Sequence, residues 1–69
     1  MSFNYSKLLG RIVEVFGTQG KFAEAMNLSE RTISLKLNNK VGWKQEEMEQ
    51  ACAVLGIDRC EIPKYFFAL

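Results

Sequence analysis

Sixty-nine residues, 48% of them hydrophobic, with five Gly, one Pro and a net charge of +1, point to one small folded domain rather than a disordered tail or a multidomain enzyme. A chain this short hides only about 60% of the surface its unfolded form exposes, so little room is left for a ligand cavity. With no His, no glycine-rich phosphate loop, no nucleophile elbow and no paired acids in an apolar setting, an enzyme is the least expected class.

No cofactor is expected. No metal is expected either, because Cys52 and Cys60 stand alone, without a CxxC spacing or a His to join them. Both thiols are expected free in a reducing compartment, Cys52 inside a helix. No run approaches the ~20 apolar residues of a membrane span, and no apolar leader follows Met1, so the cytoplasm is the expected location.

In chain order, Ser6 is placed to cap a first helix of roughly Lys7 to Phe16, with Leu9, Ile12, Val13 and Phe16 as its apolar stripe. Gly10 weakens that helix by about 1 kcal/mol relative to Ala, which predicts close approach of another helix there. Gly17 ends it. Lys7 and Arg11, one turn apart, face either water or a polyanion.

From Thr18 to Asn39 the chain reads as two short helices around a tight turn at Asn27-Leu28-Ser29. Thr18 caps the first, whose Phe22, Ala23 and Met26 fall at helical spacing. Asn27 tolerates the left-handed conformation in which helices end. Ser29 caps the second helix, about residues 29–38, where Ile33 and Leu37 lie one turn apart on an inner face. A polar face carrying Arg31, Ser34 and Asn38 remains. This is a helix-turn-helix pattern, in which the second helix enters the major groove of DNA.

Asn38 to Gly42 is a loop by composition. Trp43 to Met48 then opens a fourth helix, with Lys44 at the cap, Glu47 at the third helical position and Trp43 spaced to staple onto Met48. Met48, Ala51, Cys52 and Leu55 form its inner face, Glu46, Glu49 and Gln50 its outer one, and Gly56 its end. Pro63 suits the first turn of a final short helix. Tyr65, Phe66 and Phe67 cannot all face one side of it, so at least one is expected exposed, available to a homodimer or another partner.

The expected fold is therefore all-α, a compact bundle of about five short helices forming a single helix-turn-helix DNA-binding domain over residues 1–69. Gln19 and Lys40 are expected at phosphates, Arg31 and Ser34 at base edges, and Leu35 against a thymine methyl. Ser29, Thr32 and Asn38 complete the candidate DNA-facing set, although Ser29 also serves as the cap. Charge supports this placement: residues 1–44 hold seven Lys and Arg against three acids, a balance of +4, and residues 45–69 balance at −3.

From Ser6 to about Phe67 the chain also resembles the lambda-repressor-like helix-turn-helix superfamily, the group of Cro and the phage repressors. Gln19, Ala23, the turn residue and Ile33 match its spacing. Leu28-Ser29-Glu30-Arg31-Thr32-Ile33-Ser34 is similar to its turn and recognition helix, and Ala51-Cys52-Ala53-Val54-Leu55-Gly56-Ile57 to its fourth helix. Asn27 stands where glycine is usual, and Lys36 where an apolar core residue is common, with Leu37 able to take over that packing by a small helix rotation. The resemblance implies a Cro-like repressor binding double-stranded operator DNA as a dimer in a bacterial host cell. It also implies an alternative, a small regulator that binds the phage's own repressor protein.

Overall fold

The computed structural model describes residues 3–69. Among them lie five α-helices, α1 (Ser6–Phe16), α2 (Gln19–Met26), α3 (Glu30–Leu37), α4 (Gln45–Leu55) and α5 (Ile62–Phe66), with a 3₁₀ turn at Arg59–Glu61 before the last. The expected all-helical bundle is present. No helix among the described residues is long and apolar enough to cross a membrane.

Helix ends follow from side-chain chemistry. Thr18 Oγ1 accepts the Lys21 N–H at 3.2 Å, and Ser29 Oγ accepts the Thr32 N–H at 3.1 Å, each satisfying a donor that the first helical turn leaves unpaired. Asn27 ends α2 at φ 59°, and the Leu28 N–H returns to the Ala23 carbonyl. The start of α1 differs from the sequence reading. Ser6 is already helical, and Asn4 Oδ1 accepts its N–H at 2.9 Å, because an Asn carboxamide reaches the amide two residues on.

The stripe on α1 also differs. Leu8 and Ile12 are fully buried, Leu9 and Phe16 only partly, and Val13 is 58% exposed. The inner face runs Tyr5, Leu8, Ile12, Phe16, in steps of three and four, so Val13 falls outside it. Gly10 permits no close approach: a Cβ there would meet nothing within 4 Å. Gly10→Ala should therefore stabilise the fold by about 0.5–1 kcal/mol, read as a higher urea midpoint with an unchanged slope.

Helix α2 packs on α1, α3 and α4, and α5 closes over α1 and α4. The core gathers Leu8 and Ile12, Phe22 and Met26, Ile33, Ala51 and Leu55, with Phe66 inserted from α5. The first and last described segments meet beside the α3–α4 loop. The Asn39 side chain, at a residue with φ 61°, donates to the Phe3 carbonyl at 2.8 Å and accepts the Phe3 N–H at 3.0 Å. The Asn4 N–H donates to the Ala68 carbonyl at 2.7 Å.

Candidate interaction surface

Helices α2 and α3 form the expected helix-turn-helix pair, and most of the eight candidate DNA-facing residues lie on or beside α3. Their side chains are less free than the sequence reading required. The Ser29 hydroxyl is held by the Thr32 N–H and lies 2.8 Å from the Thr32 hydroxyl. The Asn38 amide donates to the Ser34 carbonyl at 2.7 Å and approaches its hydroxyl at 3.4 Å. Gln19 and Leu35 are half-buried. Arg31 and Lys40 are exposed, and neither has an ion-pair partner among the described residues.

Glu30 bears directly on the expected phosphate contact. A Cβ built on Gly20 would lie 3.4 Å from its carboxylate, so that carboxylate stands over the first turn of α2, where Gln19 was expected at a phosphate. An anion gains about 0.3–1 kcal/mol at a helix N-terminus. A carboxylate already present repels a second anion by about 1 kcal/mol at 4 Å even in bulk water, which cancels that gain.

The next departure is Lys36. It is 3% exposed, and α3 has not rotated to hide Leu37 in its stead: both are buried. The Lys36 ammonium lies 2.8 Å from Glu47 Oε1, 2.9 Å from the Gly42 carbonyl oxygen and 5.7 Å from the centre of the Trp43 ring. The same Glu47 oxygen accepts the Lys44 N–H at 2.9 Å. Glu47 thus holds the expected place in the first turn of α4 and also neutralises a cation from α3. Burial by itself raises the Glu47 pKa, but hydrogen bonds from Lys36 and Lys44 and the charge of both ammonium groups outweigh it and hold the carboxyl below its ordinary value.

Arg11 is likewise committed inside the molecule. Its Nε donates to the Leu55 carbonyl at 3.0 Å, its Nη2 approaches that of Gly56, and its other nitrogen pairs with Glu14. It closes the carbonyl end of α4 rather than flanking a polyanion. Two of the seven basic residues counted toward the positive half are therefore used internally. On α4, Glu49 pairs with Arg59 at 2.9 Å, and the Gln50 amide reaches the Ala25 carbonyl of α2.

The aromatic tail is divided. Phe66 is 1% exposed with its ring edge-on to Trp43 at 5.1 Å, Tyr65 is half-buried, and Phe67 is 47% exposed. The segment is thus core first, and a surface only at Phe67.

A protein family described as "Protein of unknown function (DUF739)" matches residues 1–68. The chain belongs to the DUF739 family. No curated protein matches it. Among solved structures, this DUF739 chain is similar to the modulator of repression (MOR) of the temperate bacteriophage TP901-1 from Lactococcus lactis, determined in solution. The two share 60% identity over 97% of this chain and 90% of that one, with a TM-score of 0.85. The match puts the DUF739 chain beside a phage regulatory protein, and neither comparison names a Cro-like repressor.

Proposed function

We propose that this chain modulates phage repression by binding the phage's repressor protein, and does not read an operator by itself. The observation that carries the reading is the 60% identity, over nearly the whole chain, to a modulator of repression. The site's chemistry supports it. A carboxylate stands over the phosphate end of α2, four polar side chains of the reading face bond among themselves, and Lys36 and Arg11 are withdrawn from the basic side. Such a regulator would act without catalysis, in the cytoplasm of the bacterial host. Direct operator binding is kept as a second reading by one observation, the exposed Arg31 near the start of α3 and Lys40 just past its end, neither with an ion-pair partner among the described residues.

The test is a pair of measurements on the purified chain. Mixed with the repressor of the same phage, it should elute as a complex in size-exclusion chromatography. Offered a randomised duplex library by itself, it should select no motif and bind weakly, with affinity falling steeply between 50 and 200 mM salt as electrostatic association does. Selection of a short palindrome by the isolated chain, with no repressor complex, would establish the operator reading instead.

A further inference from the structure

Val41 and Phe67, both over 40% exposed, line one hollow of about 450 Å³ together with Phe3, Trp43 and Met48. Its walls are already set. Asn39 holds Phe3 by two hydrogen bonds, Phe3 meets Phe67 edge-on at 5.6 Å, and Trp43 is braced on Phe66. Lys40 is the single charged residue lining it, and its ammonium has no carboxylate partner among the described residues. Donors are also in excess. The backbone N–H groups of Gly42 and Trp43 find no acceptor among the described residues; the indole Nε1 of Trp43 also lacks one but is fully buried, so it is not a donor for an incoming group.

A preformed apolar floor beside a lone cation and spare N–H groups is complementary to an apolar side chain next to an acid. We propose that this hollow is the docking site for a large apolar side chain flanked by Asp or Glu on the phage repressor. The inference rests on the repressor-binding reading above. The apolar group lies against Val41 and Phe67, and the carboxylate meets Lys40 and the loop donors. Interfaces of this kind concentrate their energy in a few buried anchors with charges at the rim.

Trp43 is the only tryptophan in the chain, so its indole N–H gives one resonance that reports on the hollow. The experiment titrates the ¹⁵N-labelled full chain with the unlabelled repressor of the same phage. The indole resonance should move on binding. Val41→Ser/Phe67→Ser and Lys40→Glu should each weaken binding at least tenfold, and Val13→Ser, on exposed α1 surface, should leave it unchanged. All four positions are exposed, and well-dispersed amide spectra of the variants would verify that they fold. A repressor that binds wild type and variants alike, with the indole resonance still, would overturn the docking site and leave the repressor-binding reading standing. No binding to wild type would overturn both. An indole shift that follows the chain's own concentration would overturn the proposal in favour of a second copy in the hollow.

Discussion

Glu47→Ala should cost on the order of 3–5 kcal/mol, since it strands the Lys36 ammonium, 3% exposed, with the Gly42 carbonyl as its remaining close acceptor. A domain of 69 residues has roughly 3–10 kcal/mol to lose, so the variant should be largely unfolded or close to it. Lys36→Met should differ by no more than about 1 kcal/mol. Lys36→Met also removes only one partner, but the carboxylate it leaves behind keeps the Lys44 N–H and is 17% exposed on its side chain, so the charge it strands is far less buried than the ammonium stranded by Glu47→Ala. Urea unfolding followed by Trp43 fluorescence separates the two variants. Equal, small losses in both would mean that the pair does not hold the α3–α4 loop.

The same pair sets a pH dependence. The folded state holds the Glu47 pKa below its unfolded value, near 4.3 for an unperturbed Glu. Between those values the unfolded chain binds the proton and the folded chain does not. The pair's contribution is therefore complete above the unfolded pKa and is lost as pH falls through the folded one. Unfolding free energy should drop in acid for wild type, and this part of the drop should shrink in Lys36→Met.

Phe66→Ala should be as damaging, about 3–5 kcal/mol, because its ring is wholly enclosed and braces Trp43. Its neighbour gives the contrast. Phe67→Ala, at a residue 47% exposed, should cost about 1 kcal/mol or less in thermal or urea melts. If Phe67→Ala proved the worse of the two, the tail would be turned the other way round, with Phe67 in the core and Phe66 at the surface.

Much of the fold was legible because it rests on local chemistry. Thr18, Asn27, Ser29, Glu47 and Gly56 act within three or four residues of themselves, and their roles are written in spacing alone. What the sequence could not show depends on partners far along the chain. Arg11 finds the end of α4 across 44 residues, and Asn39 finds Phe3 across 36. Lys36 stood out as a charge where an apolar core residue is common, with Leu37 expected to take over that packing, because a single position does not reveal that Glu47 will stand opposite it. A pointer was nevertheless present. A lysine at a core position of one helix and a glutamate in the first turn of the next could have been paired by asking what would neutralise the lysine if it were buried. Charge counted by residue number has the same weakness, since it treats withdrawn and exposed cations alike. Which side of α1 faces inward was missed for another reason: Leu8 and Leu9 are both apolar, and only the arrival of Tyr5 and α5 decides between them.

The two cysteines are both free, one buried on the inner face of α4 and one exposed in the 3₁₀ turn. Burial raises the Cys52 pKa, a nearby Arg59 opposes that and Glu49 adds to it, so this thiol is kept protonated as well as covered. Oxidants reaching the native protein therefore meet Cys60. With its only fellow thiol shut away, a sulfenic acid formed at Cys60 has no resolving thiol within the folded molecule, and any disulfide it forms is made to a thiol from outside. Disulfide formation by this chain, while it stays folded, runs outward.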